Sequence, residues 1–349
     1  MDTPEGRLRR RIEAHGALPF AEFMEEALYG EGGYYATAAP RIGPAGDFIT
    51  GASLSPLFGR STARLLARLA AQLGAPADLL EAGYGDGTHL AAVLAAQDAA
   101  ARGRVLAWDR VRRPLPEAVE TLDSLPELGA PIHGVVFSYE LFDALPVNRL
   151  RLSAAGEWQE LHVALGSEGE FDWQLLPPSS PELAALLGPA AAAVEPGQIV
   201  DLAPGWRPLY GQLASTLERG LLVTCDYGFE RRRLLDPRVR RHGTLACHRR
   251  QTVHRNPFVD VGTQDLTAHV DFSALIEEGE AAGLETVGLV SQAEWLGACG
   301  VFEDLAEADT ATRLAAAQLM NPDGMGTEIK VLVQARGIDW AGLFDIRLG

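Results

Sequence analysis

Two periodicities alternate along the chain. Residues 5–15 and 18–29 read as two short helices separated by Gly16, with Phe20, Phe23, Met24, Ala27 and Leu28 recurring at helical intervals. A stretch rich in Gly and Pro follows and reads as loop, then a helix from about Leu57 to Leu73. Short apolar runs next mark strands: Leu79–Leu80 leading into Glu81, RVLAWDR ending in Asp109, Val135 to Phe137, and LLVTCDYGF ending in Asp226. Residues 114–122 predict one short helix. Only SLPELGAPIH separates it from the next strand, so one strand of a regular doubly wound sheet is expected to be short or absent. From Arg149 to Pro177 polar and apolar residues alternate, with turn signals at Ala155–Gly156 and Gly166–Gly169, which predicts a three-stranded meander. The main pattern is expected to resume with IVDLAP and a helix over 207–219. A loop-rich arginine segment (230–270), a helix (272–282), a strand (284–290), a helical stretch (302–319) and a last strand, IKVLVQARG, complete the chain. Strands alternating with helices predict an α/β fold. Residues 1–75 form a helical and looped lead-in, and residues 76–349 form a core with insertions at about 148–180 and 230–270.

The chain has 349 residues, 47% of them hydrophobic, enough for one elaborated domain or two unequal ones. A formal charge of −17 excludes a general nucleic-acid binder, since a phosphate backbone would be repelled over most of the surface. Lys330 is the sole lysine, so nearly all positive charge is arginine. Cys225, Cys247 and Cys299 are too far apart for a zinc site or a disulfide framework and read as reduced thiols. No apolar run reaches the ~20 residues of a membrane span. The N-terminus, with Asp2 and Glu5, lacks the apolar core of a signal peptide, and the expected location is cytoplasmic.

The candidate chemistry centres on LLEAGYGDGT, residues 79–88, where Gly83, Gly85 and Gly87 separate a strand from a helix. Missing Cβ atoms let backbone approach a ligand, and a helix N-terminus offers free N–H groups. A nicotinamide cofactor usually brings GxGxxG with one acid about 20 residues on. Here Glu81 begins the turn and Asp109 ends the second strand. Two carboxylates suit a ligand with a ribose and a cationic amino-acid tail and no diphosphate, which describes S-adenosylmethionine. A tight turn needed for packing alone is the plainer alternative. At the next strand exit Glu140 and Asp143 flank Leu141–Phe142. They could hold a guanidinium or ammonium facing a sulfonium methyl, or be helix N-terminal acids favoured by the dipole. Residues 230–255 hold nine arginines with His242, His248 and His254. Metal binding would want closer spacing and carboxylate help, and a solvated loop with ion pairs is the simpler reading over contacts to an acidic partner.

These residues carry a resemblance. The chain resembles the MidA-type S-adenosylmethionine-dependent methyltransferases, which include a mitochondrial complex I assembly factor acting as a protein arginine methyltransferase. The segments concerned are LPFAEFMEEALYGEGGYYAT, GPAGDFITGASLSPLFG, EAGYGDGT, YELFDALPV, CDYGF, GTLACHRR, DLTAHVDFSAL and NPDGMGTEIKVLVQ, in the family's order over about residues 18 to 335. The resemblance implies a class I methyltransferase sheet, Rossmann-like, whose last strand runs antiparallel. It implies cofactor contacts at Glu81, Gly83, Gly85, Gly87 and Asp109, with Gly46 and Asp47 approaching the same ligand. It implies active-site carboxylates at Glu140 and Asp143, and a protein substrate, by family a respiratory-complex subunit. Departures stand beside it: Gly51, Ala52 and Ser53 where relatives read Ser-Pro-Glu, Tyr84 and Asp86 inside the glycine turn, and Tyr139 for Asn. The expectation is an S-adenosylmethionine-dependent N-methyltransferase acting on a protein arginine. The alternative is an assembly-type protein that keeps the fold and cofactor and has lost turnover.

Overall fold

The computed structural model describes residues 2–37, 51–125, 128–250, 252–306 and 308–344. Its centre is a mixed sheet built from β1 (Asp78–Ala82), β2 (Val105–Trp108), β3 (Glu120–Thr121), β4 (Ile132–Tyr139), β5 (Leu217–Phe229), β6 (Glu285–Ser291) and β7 (Ile329–Arg336). Their order across the sheet is β6-β7-β5-β4-β1-β2-β3. The strands from β5 to β3 are parallel neighbours, while β7 runs antiparallel to both β5 and β6. This is the class I methyltransferase arrangement, with the last strand inserted in reverse. The two-residue β3 is the short strand expected from the spacing.

Side chains alternate between the two faces of the sheet, as the period of a strand requires. Leu80, Val136, Leu222 and Leu332 pack on one face with Trp206, Tyr210, Phe272 and the N-terminal Phe20, Phe23 and Met24. Leu79, Val135, Phe137, Leu221, Val223, Val331 and Val333 pack on the other with Phe58, Leu65, Leu66 and Trp295. The first face is covered by helices Trp206–Thr216 and Phe272–Ala281 and by the N-terminal pair Pro4–His15 and Phe20–Tyr29. The second is covered by Leu57–Leu73, Thr88–Ala96 and Gln292–Ala298.

The predicted meander is present as Asn148–Leu152, Trp158–Leu165 and Phe171–Leu176, all antiparallel. Four expectations are corrected. Residues 114–122 form no helix; Pro114 and Pro116 withhold two backbone donors, and the chain turns so that the Val119 N–H donates to the Pro116 carbonyl at 2.9 Å before entering β3. Ile199–Leu202 does not rejoin the central sheet, where β4 already takes β5 as its neighbour. It pairs antiparallel with Asn148–Leu152 and buries Val200 and Leu202 against Leu150, Leu183 and Leu187. The arginine segment holds a small antiparallel sheet of Ala246–Arg249, Thr252–His254 and Asp265–Thr267. Helix Gln292–Ala298, outside the predicted stretch, is set by a Ser291–Glu294 capping box.

Candidate active site

The turn after β1 needs its glycines. Gly83, Gly85 and Gly87 have φ of +73°, +55° and +77°, the left-handed region that side chains disfavour. A Cβ on Gly83 would come within 2.9 Å of Leu141 Cδ1, and one on Gly87 within 2.5 Å of Leu115 Cδ2. The Gly83 N–H donates to the Trp108 carbonyl at 2.7 Å. The Gly85 N–H donates to Asp109 Oδ2 at 3.0 Å, and the Val111 N–H donates to its Oδ1 at 2.9 Å. Asp109 thereby ties the glycine turn to the exit of β2. Burial raises its carboxyl above the usual aspartate range, against these N–H bonds, which lower it.

The two unusual residues of the turn have structural work. The Asp86 carboxylate accepts from the Thr88 N–H at 2.9 Å and so satisfies a free donor at the start of helix Thr88–Ala96. Tyr84, buried, accepts from the Arg113 N–H and donates to the Arg113 carbonyl. Arg113 in turn donates to the carbonyls of Gly85 at 3.3 Å and Tyr35 at 3.0 Å. Glu81, also buried, accepts from His89 Nδ1 at 2.8 Å, while His89 Nε2 lies 3.1 Å from Thr62 Oγ1 and its ring stacks 4.6 Å from Phe137.

The exit of β4 is the second pole of the site. Glu140 has φ +48°, a costly conformation for a residue with a Cβ, and its N–H donates to the Cys225 carbonyl at 2.9 Å. Asp226, fully buried at the end of β5, holds the following turn: Oδ2 accepts from the Phe142 N–H and Oδ1 from the Tyr227 N–H, each at 2.8 Å. The Trp206 indole N–H donates to the Phe142 carbonyl at 2.8 Å and the Ala268 N–H to the Asp143 carbonyl at 2.9 Å. Strain at Glu140 is thus held from three sides. Its Oε1 is buried and accepts no hydrogen bond among the described residues. Burial pushes the Glu140 and Asp143 carboxyls well above their usual range, with Asp226 and Asp265 adding repulsion to both and Glu140 adding to that on Asp143. Burial brings Asp226 up to about 7.

These elements surround a cavity of about 490 Å³, lined by Glu81, Gly83, Gly85 and Asp109 from the β1 and β2 exits and by Glu140, Asp143 and Asp265. Its N-terminal wall is aromatic. Tyr29 and Tyr35 stack at 5.4 Å, the Arg110 guanidinium sits 3.9 Å above the Tyr29 ring, and Tyr29 donates to the Ala144 carbonyl at 3.0 Å. Tyr35 donates to Asp265 Oδ1 at 2.8 Å. The far wall comes from the arginine segment, through Ala246, His248, Val253, Thr267 and His269. The composition of that segment reads as a solvated loop and gives no sign of this wall, although Asp265 opens the DLTAHVDF stretch that carries the resemblance. His242, His248 and His254 form no metal cluster among the described residues. Gly46, Asp47 and the Ser53 side chain lie outside the described residues.

The sheet order and a ligand-sized cleft at the carboxyl ends of β1, β2 and β4 define a class I methyltransferase. Residues 104–290 match the family described as "Putative S-adenosyl-L-methionine-dependent methyltransferase". The chain belongs to that family. A Burkholderia thailandensis protein crystallised with S-adenosyl-homocysteine is 31% identical, with a TM-score of 0.87 over 98% of this chain and 95% of that one. Among curated proteins, the Drosophila melanogaster protein arginine methyltransferase NDUFAF7 homolog, mitochondrial, is 27% identical over 95% of this chain and 84% of its own length. The Mus musculus protein arginine methyltransferase NDUFAF7, mitochondrial, is 25% identical over 91% and 81%. The chain is an S-adenosylmethionine-dependent methyltransferase.

Proposed function

We propose that this methyltransferase modifies a guanidinium nitrogen of arginine in a protein substrate. The observation that carries the reading is the half-buried Glu140, whose buried Oε1 has no hydrogen-bond partner among the described residues, beside the buried Asp143 in the same cavity. An unpaired buried acceptor is costly to keep, and a guanidinium supplies a planar fork of N–H donors that matches carboxylates. The names of the arginine-modifying relatives agree with that chemistry.

The glycine turn and the β2 exit suit S-adenosylmethionine. The left-handed glycine turn presents backbone to the cavity through Gly83 and Gly85, and Asp109 stands at the β2 exit with room on its oxygens for further donors. Gly83, Gly85, Gly87 and Asp109 would hold the nucleoside, and Glu81 the cationic end. The cofactor supplies an electrophilic methyl group. Glu140 and Asp143 bind and aim the guanidinium, and its charge favours their ionised forms against burial. A carboxylate oxygen there can also hold the proton that the substituted nitrogen releases. The aromatic wall of Tyr29 and Tyr35 keeps water from the reacting centre.

The test pairs calorimetric titration with S-adenosylhomocysteine and transfer of labelled methyl groups from the cofactor to proteins of a cell lysate. Expected are binding by the wild type and label recovered as methylarginine, lost in Glu140→Gln. Label recovered only on lysine or carboxylates, or no binding at all, overturns the reading.

A further inference from the structure

Several arginines of the segment are held in ion pairs. Arg231 pairs with Asp271 at 2.7 Å, Arg238 with Asp236 at 2.7 Å, Arg241 with Glu195 at 3.4 Å, and Arg249 with Asp260. Arg233, Arg240 and Arg255 make no ion pair among the described residues. Instead Arg233 and Arg240 converge on one ring. The Arg233 and Arg240 guanidiniums lie 3.9 and 5.4 Å from the Phe229 ring centre, the Lys330 ammonium lies 5.8 Å from it, and the His269 ring 5.6 Å. Arg255 is close enough to Arg240 to join Arg233 and burial in lowering its pKa.

Like charges gathered on one ring repel one another, and in a chain of net charge −17 carboxylates to neutralise them are plentiful. The nearby acids do not do so. Glu328 lies close enough to Arg240 to raise its pKa without forming an ion pair, and Asp201 is engaged by Arg149 at 2.8 Å. Two buried nitrogens in this cluster, Arg240 Nε and His269 Nδ1, have no hydrogen-bond partner among the described residues. A buried donor without an acceptor is expensive, and an anion would satisfy the Arg240 guanidinium. His269 and Glu328 line the cavity that Glu140 and Asp143 also line, so the cluster borders it.

We propose that Arg233, Arg240, Arg255 and Lys330 form a seat for the carboxylate side chains of an acidic segment flanking the modified residue of a protein substrate. The inference rests on the reading of a protein acceptor given above. An arginine in the cavity, held by Glu140 and Asp143, would lead its flanking residues past this rim. The rest of the acidic surface repels an acidic flank, so the seat both selects and orients it. Basic flanks are rejected by the same charges.

Fluorescein-labelled seven-residue peptides with a central arginine and three flanking glutamates, glutamines or lysines test this by anisotropy on the full-length protein saturated with S-adenosylhomocysteine. The glutamate peptide is expected to bind about tenfold more tightly than the glutamine peptide at low salt. Arg233→Gln/Arg240→Gln should abolish the preference, and Arg255→Gln, at an exposed position, should reduce it without risk to folding. Equal affinity for the glutamate and glutamine peptides, a preference that survives both variants, or tighter binding of a labelled oligouridine would overturn the proposal. Replacing the central arginine with lysine separates the two readings. The glutamate preference should persist even if methyl transfer to arginine fails.

Discussion

Gly51 and Tyr139 are fitted to one another: a Cβ on residue 51 would overlap the Tyr139 hydroxyl and lie 3.0 Å from Gln292 Oε1. The large residue fills the space that the small one leaves. The Tyr139 hydroxyl donates to Gln292 Oε1 at 2.6 Å, Gln292 donates to the Leu319 carbonyl at 2.8 Å, and the Tyr139 ring meets Phe58 edge-on at 5.2 Å. Gly51→Ala is therefore expected to destabilise the fold by about 1–3 kcal/mol through overpacking. In a Tyr139→Phe background, where the obstructing oxygen is gone, the same change should cost much less. Urea denaturation of the four proteins in this cycle reads the coupling, and strict additivity would show that the two sites are independent.

Tyr84 closes a second link, accepting from the Arg113 N–H at 2.9 Å and donating to the Arg113 carbonyl at 3.2 Å. Tyr84→Phe leaves the buried ring in place and strands that N–H, at about 1–2 kcal/mol of stability. Because the loop it fastens also carries Asp109, S-adenosylhomocysteine should bind several-fold more weakly. Calorimetry on the two proteins measures this. Unchanged affinity would mean that the loop keeps its position without the hydroxyl.

Much of this was legible in the chain because it is local. The glycines before a helix, Asp109 at a strand end and the alternation of residues 149–177 each leave a periodic or spaced signal within a dozen residues. The acceptor end is different. Asp226 and Asp265 reach Glu140 and Asp143 from strands 80 and more residues away, so no spacing announces the cluster. Similarly, Tyr35 meets Asp265 across 230 positions. The arginine segment reads as solvent-facing by composition, yet Cys247 and Leu266 bury its small sheet against the core. A four-residue apolar run does not specify its neighbour, so the sequence alone does not tell that Ile199–Leu202 pairs with Asn148–Leu152 and not with the central sheet.

At the acceptor end, Asp143→Asn and Glu140→Gln each remove a carboxylate without changing shape. Loss of a positioned acid or base commonly costs 10²–10⁴ in rate. A fall in kcat of about a hundredfold or more is expected for each, with S-adenosylhomocysteine affinity changed less than about threefold, since in the proposed arrangement the β1 and β2 residues hold the cofactor and these carboxylates do not. Single-turnover methyl transfer at saturating cofactor separates the two effects. If the loss appears only in the acceptor KM, the carboxylates hold the substrate without aiding transfer.

The buried acids also set how stability follows pH, and in the direction opposite to a salt-bridged carboxylate. Asp226 sits at about 7 in the folded protein through burial, against about 3.9 for an aspartate in an unfolded chain. Between those values the folded state keeps a proton that the unfolded state has released, so the unfolded chain binds fewer protons and stability falls as pH rises. Glu140 and Asp143, raised by burial and by one another's neighbours, push the same way. The ligand-free protein should therefore lose on the order of a few kcal/mol between about pH 4 and pH 7, and keep losing above 7 while Glu140 and Asp143 remain to be ionised. Asp226→Asn cannot titrate. It should be weaker at pH 5 by about 1–3 kcal/mol, because an amide nitrogen would face the N–H of Phe142 or Tyr227, yet its stability should decline less steeply toward neutrality. Urea unfolding of both proteins at intervals from pH 4.5 to 8 provides the two curves. Parallel slopes would assign the pH dependence to groups other than Asp226.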